Sequence, residues 1–257
     1  MIGATMVDGF IATMPPEYGR TFGKEAVEMH AEIVLSRLPD QVRVVLCDAQ
    51  PGEDAMLCVV AADEPGLLAL VCAALVTHQL DVRAAQIFAR RIPQAPDEAV
   101  DFFWVRPMGS EGPAVLDAGR VEQVEATLTQ FLGRTHPDDE DLDEAQTVHR
   151  APTARPPSLR QSERSMSIHF DPRSLAEGRS VLVLEAPDTE RLLLAVTRTL
   201  SSLGIDIIAS DVRTVDDWAH DRFTLEVDHG PLDAQLRQQV VDAVADSFER
   251  PPAPIVT

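Results

Sequence analysis

The residues of this chain best suited to chemistry form the hexapeptide Asp63-Glu64-Pro65-Gly66-Leu67-Leu68, set between an apolar run and a helical stretch. Pro65 presets φ for a helix start and lacks an N–H that the first turn leaves unused. Gly66 has no Cβ, so a guest molecule can approach its backbone closely. The N–H groups of Gly66, Leu67 and Leu68 lie at the helix N-terminus and favour a carboxylate. The same residues would equally serve to start a helix, with Asp63 as N-cap and Pro65 in the first turn. The sequence leaves both readings open.

No other constellation carries comparable chemistry. There is no G-x-G-x-x-G, P-loop, G-x-S-x-G or zinc motif. The seven histidines (residues 30, 78, 136, 149, 169, 220 and 229) show no metal-ligand spacing, and His78 reads as a helix-end residue. Cys47, Cys58 and Cys72 are odd in number and form no C-x-x-C. They read as small buried hydrophobes in a reducing, cytoplasmic compartment. The acidic run Asp138–Asp141 could attract divalent cations, but a solvated linker is the simpler reading. No catalytic set, metal site or cofactor is expected.

The elements that must position the hexapeptide follow from length and periodicity. The chain has 257 residues, 45% apolar and 25% charged, with a net charge of −20. That is enough for about two folded domains. The acidic balance argues against nucleic-acid or anionic-membrane partners. No basic residue precedes the apolar N-terminal stretch, so a secretory signal is not expected. The longest apolar run, Leu67–Val76, is too short to cross a bilayer.

An internal repeat organises the rest. An offset of 125 maps Asp63 onto Asp188, Val71 onto Val196, Leu75 onto Leu200, Asp81 onto Asp206 and Ala84 onto Ala209. At an offset of 120, Asp101 and Phe103 fall on Asp221 and Phe223. Each copy reads strand, helix, strand, strand, helix. The strands are Met56–Ala62, Leu80–Arg90 and Asp101–Arg106 in the first copy. Ser180–Ala186, Ile205–Thr214 and Asp221–Val227 match them in the second. Helical stripes run through Leu68, Val71 and Leu75 and through Leu193, Val196 and Leu200. Val121, Val124, Leu128 and Phe131 stripe the last helix of the first copy; Leu236, Val240, Val244 and Phe248 do so in the second. Met166, Ile168 and Phe170 alternate as a further strand that would close the first copy across the linker. Val42, Val44 and Leu46 are the candidate to complete the second.

The expected fold class is therefore α+β: two ferredoxin-like βαββαβ units with antiparallel sheets, preceded by a short helical segment. The expected divisions are a helical segment at 1–40, a first unit at 41–135 closed by a strand at 165–171, and an acidic then Pro/Arg-rich linker at 136–164. A second unit at 165–250 and a tail at 251–257 follow.

The Asp-Glu-Pro-Gly-Leu-Leu turn before a helix, followed by Leu80-Asp81-Val82, resembles the ACT domain, a small-molecule sensing module of amino-acid metabolism. The second copy looks like a degenerate ACT domain. Phe10-Ile11-Ala12-Thr13-Met14-Pro15-Pro16-Glu17-Tyr18, with His30-Ala31, resembles the segment before the tandem ACT pair of bacterial PII uridylyltransferase/uridylyl-removing enzymes. Ile87-Phe88-Ala89-Arg90 and Asp101-Phe102-Phe103-Trp104-Val105 are similar to the same family's strands. The resemblance covers nearly the whole chain but only the family's C-terminal regulatory part. It implies a pocket between the hexapeptide turn and the next strand of a paired unit, with Asp63, Pro65, Gly66, Leu67, Leu68 and Asp81 at the ligand and Asp81 taking its ammonium group. Asp188, Arg191 and Asp206 are the weaker equivalents, because Arg191 would crowd the backbone where Gly66 leaves room.

The function this implies is non-catalytic amino-acid sensing linked to nitrogen regulation, with glutamine the candidate effector. The partners would be the small molecule, an intramolecular ACT pairing or homodimer, and a nitrogen-regulatory protein. Two alternatives stand beside it: a uridylyltransferase-like fragment acting with a separate catalytic chain, or a pure dimerisation module. The family's nucleotidyltransferase and HD hydrolase domains have no room here, and the lone His220-Asp221 dipeptide is not an HD metal site.

Overall fold

A computed structural model describes residues 3–48, 54–109, 116–133, 165–189 and 191–249. The linker expected at 136–164, with Asp138–Asp141, and the tail at 251–257 lie outside the described residues. Eight strands form one antiparallel sheet: β1 (Arg43–Asp48), β2 (Ala55–Ala62), β3 (Leu80–Arg90), β4 (Glu98–Pro107), β5 (Ser167–Phe170), β6 (Ser180–Pro187), β7 (Asp206–Val215) and β8 (Trp218–Glu226). Their order is β1-β2-β4-β3-β7-β8-β6-β5. Read from either edge inward, the same pattern repeats, and the halves join where β3 meets β7. There Ala84 faces Arg213, Gln86 faces Asp211 and Phe88 faces Ala209. The 125-residue offset exchanges the two strands of this ladder, so a pseudo-dyad passes through Gln86 and Asp211. Gln86 Nε2 donates to Asp211 Oδ1 at 2.6 Å on that axis.

The closing strands differ from expectation. The strand near 168 pairs with β6 of its own half, and the strand near 44 pairs with β2. Each unit is thus completed by the strand before it, not after it. Alternation fixes which face a side chain takes but not which neighbour a strand chooses. A short antiparallel connection closes a smaller loop than a crossing of the long linker, at lower entropic cost.

One face of the sheet carries α4 (Leu67–Thr77), α5 (Ala118–Leu132), α7 (Leu192–Ser202) and α8 (Ala234–Glu249). Every residue of α4 from Leu67 to Val76 is buried, because sheet, α5 and α7 surround it. The expected stripe of α5 is buried throughout, as are Val240 and Val244 of α8. Asp117 caps α5 by accepting from Arg120 N–H at 2.8 Å.

Among the described residues, the other face is covered by helices under the first unit alone. There α1 (Ala4–Thr13), α2 (Tyr18–Thr21) and α3 (Lys24–Leu35) pack Phe10, Tyr18, Val27, Ala31 and Val34 on Cys58, Val60, Phe88, Val100 and Phe102. Tyr18 sits at the centre. Its ring meets Phe10 and Phe88 edge to face at 5.5 and 5.4 Å, and its hydroxyl bonds His30 Nδ1 at 2.8 Å. Burial drives the Tyr18 pKa upward and lowers that of His30 to about 4, so both are neutral. The coverage explains why β2 is apolar almost without break, as sheets buried on both sides are. A short α6 (Pro172–Ala176) leads into β6, whose outward Val183 and Glu185 are half-exposed. Among the described residues, no helix is long and apolar enough to cross a membrane.

Candidate functional site

The β3–β7 ladder is short. It ends at Phe88 on one side of the pseudo-dyad and at Ala84 on the other. Beyond each end the strands part, and the turn after β2 or β6 packs into the gap. Because β3 and β7 are antiparallel, the start of each lies beside the turn of the opposite unit. The sequence-derived site residues therefore separate into two groups. Asp63, Pro65, Gly66, Leu67 and Leu68 gather with Asp206 of the second unit. Asp81 gathers with Asp188 and Arg191 at the other junction. Asp81 does not face the hexapeptide of its own unit.

At the first junction Gly66 has φ +83°, a left-handed conformation that L side chains rarely adopt, and ends the turn as the residue before α4. A Cβ there would lie 2.9 Å from Ser201 Oγ of α7. A side chain at this position must carry the left-handed strain and push the Ser201 hydroxyl aside, so glycine fits it at the lowest cost. Leu67 N–H donates to Glu64 O at 3.0 Å, so one donor of the expected cradle is already used. Asp63 is held by its backbone N–H, which donates to Asp97 O at 3.0 Å. Its side chain does not cap α4.

This junction opens into a groove of about 990 Å³. The groove runs past the α1–α2 connection at Thr13–Glu17, the second half of β3 and the first half of β7 to Arg222 and His229. Its polar end is acidic. Burial, then Asp97 and Asp206, push Asp63 up to about 6. Burial also raises Asp206 and raises Asp101 well above the carboxylate range. Asp101 is 1% exposed and accepts from Phe88 N–H at 3.3 Å. Among the described residues no ion pair within 4.0 Å reaches Asp63, Asp97 or Asp206, although His229 pulls the Asp206 pKa down against its burial. Ser210 Oγ, on the wall of the groove, is buried without a hydrogen-bond partner.

The second junction repeats the backbone and reverses the chemistry. Arg191 occupies the Gly66 position with φ +70°. Asp188 N–H donates to Asp217 O at 2.9 Å, matching the Asp63–Asp97 bond. Asp221, the counterpart of Asp101, accepts from Arg213 N–H at 3.4 Å and is pushed up to about 8, chiefly by burial. Here, however, Arg83 Nη1 forms an ion pair with Asp188 and lies 3.5 Å from Asp81. The remaining cavity is about 20 Å³, room for roughly one water molecule.

Four features of this arrangement escape sequence reasoning: Arg83, Asp101, Asp221 and Ser210. A charge inside the apolar run Ala99-Val100-Asp101-Phe102-Phe103 is a signal in itself. Arg83 carries none, since Asp81-Val82-Arg83 reads as ordinary strand. His220, beside Asp221, points to the other face and lies 3.6 Å from Glu185. His78 bonds Thr127 Oγ1 at 2.8 Å at the end of α4. Cys58 and Cys72 are buried, and Cys47 is half-buried; none forms a disulfide.

No family model and no solved structure matches the chain. Among curated proteins, it is similar to the bifunctional uridylyltransferase/uridylyl-removing enzyme of Xanthomonas axonopodis pv. citri, 27% identical over 241 residues, 93% of the chain and 25% of that enzyme. The enzyme of the same description from Rhodospirillum rubrum is 24% identical over 249 residues, again 25% of its length. That of Vibrio campbellii is 27% identical over 74% of the chain. The chain spans about a quarter of the length of the curated relatives it matches.

Proposed function

We propose that this chain is a non-catalytic sensing module of two ACT-type units, which binds a free amino acid at the Gly66–Asp206 junction. Glutamine is the first candidate, in the setting of nitrogen regulation. The observation that carries the proposal is the difference between the two junctions: one opens into a long groove of about 990 Å³, and the cavity at the other is about 20 Å³. Ligand sites for small molecules commonly measure roughly 300–1,000 Å³. The ligand carboxylate would face the N-terminus of α4, and its ammonium group would face Asp63 and Asp206. Similarity to part of the uridylyltransferase/uridylyl-removing enzymes supports a regulatory role beside such an activity.

The bound state would act on a partner through the junction itself. A ligand touching the turn of one unit and the strand of the other stabilises one packing of the halves over another. Couplings of this kind typically amount to about 1–3 kcal/mol. The partner in this proposal is a nitrogen-regulatory protein, or a second copy of the chain.

Calorimetric titration with glutamine and a panel of other amino acids, at millimolar ligand, tests it. Saturable heat with at least one of them is expected; no heat with any overturns the proposal. Gly66→Arg separates sensing from dimerisation alone. Arg191 shows that the fold accepts arginine at this left-handed position, at a strain of about 1–2 kcal/mol. The variant should therefore keep its fold and its elution volume, and lose the heat of binding.

A further inference from the structure

We infer that Arg83 is a built-in substitute ligand: in the second junction its guanidinium holds the place that the cationic group of the amino acid takes in the first. The inference rests on the reading of the first junction as an amino-acid site, and adds what the ligand must bring.

The pseudo-dyad that carries Asp63 onto Asp188 carries Ile208 onto Arg83. Both are the extra residue of a bulge at the same place in their strands. The register slips between Val82 and Ala84 in β3, and between Ile207 and Ala209 in β7. Bulges re-aim a side chain and are kept as features of a fold. In β3 the bulge aims Arg83 at Asp188, with both side chains mostly buried at 18% and 6% exposure. In β7 the same bulge presents Ile208, which cannot neutralise Asp63.

Three exchanges across the dyad act in one direction. The first junction loses a cation at position 208. It loses the crowding arginine at position 66. It gains a hydroxyl at Ser210, where the second has Ala85. Ser210 is 7% exposed and its Oγ has no partner, a cost that a guest hydrogen bond would remove. Arg83 uses only part of its donor fork: Nη1 serves Asp188, while Nε is buried without a partner. That incomplete fit suits a side chain that stands in for a smaller cationic group.

Two variants of the full chain test this. Arg83→Ala leaves Asp188 buried without its cation, and its Tm should fall by about 5 °C or more. Millimolar methylguanidine should restore much of that loss and leave the wild-type Tm unchanged. Ile208→Arg should place a guanidinium on Asp63, remove the calorimetric heat of the amino acid and keep or raise the Tm. If methylguanidine shifts both proteins equally, or Arg83→Ala melts with the wild type, the inference is overturned. Undiminished amino-acid binding by Ile208→Arg overturns it as well. Should Arg83→Ala not fold alone, folding in methylguanidine supports the inference, and failure to fold there contradicts it. If the wild type binds no amino acid, the reading of the first junction falls, and the methylguanidine response still decides the role of Arg83.

Discussion

Gly66, Ile208 and Ser210 at one junction correspond to Arg191, Arg83 and Ala85 at the other, on backbones that match down to a left-handed turn residue and a strand bulge. The conserved parts are those that packing demands: apolar stripes on the helices, the Asp63–Asp97 and Asp188–Asp217 backbone bonds, and the buried Asp101 and Asp221. The parts that differ are the side chains at the mouth of each gap. One junction is closed by its own arginines, and the other opens, with Asp63 and Asp206 at its mouth, on a groove that also carries Arg91, Arg222 and His229. Three side chains differ at matched backbone positions, and the α1–α2 connection lines the groove at the first junction alone among the described residues.

Asp63→Asn gives the largest expected effect on that contrast. With Asp63 at about 6, a cationic ligand group must draw a proton from it near that pH. Affinity should fall as pH drops below about 6, and binding near pH 6 should release protons, seen as heat that depends on the buffer. Asp63→Asn should weaken binding at least tenfold at neutral pH, about 1.4 kcal/mol, and abolish the proton release. Persistence of either would remove Asp63 from the site.

Asp221→Asn probes the closed junction. The folded chain binds a proton at Asp221 up to about pH 8, whereas the unfolded chain loses it near pH 4. Between these values the folded state holds more protons, so stability falls as pH rises. The variant removes that loss. It should melt several degrees above the wild type at pH 8 and level with it at pH 4. Equal melting at both pH values would show that Asp221 is ionised in the fold.

Ser210→Ala is the smallest change. It installs the residue found at position 85 in the other half and removes a buried hydroxyl without a partner. Amino-acid affinity should drop about two- to tenfold, the worth of one hydrogen bond. The Tm of the free chain should not fall. A fall in Tm would mean that Ser210 serves the fold.

Much of the fold was legible because both units obey simple periods. The stripe Val121, Val124, Leu128 and Phe131 locates α5, and the apolar run from Met56 locates β2. The neighbours of β1 and β5 were not legible, since alternating residues name a face without naming a partner. The turn at Asp63–Leu68 stood out for its proline and glycine. Its strand partner did not: Asp81 belongs to the same repeat, yet the antiparallel junction delivers Asp206 instead. Arg83 was hidden for a related reason. In an unbroken strand it would sit as one more alternating residue, and the bulge that turns it toward Asp188 leaves no mark in the local composition.

A crystal structure of the chain grown with the amino acid that gives the largest calorimetric heat tests the central claim most directly. Ligand density between Gly66 and Asp206, with Arg83 still paired to Asp188 at the other junction, is the predicted result. Density beside Arg191 and Asp81, with Arg83 displaced, would contradict it.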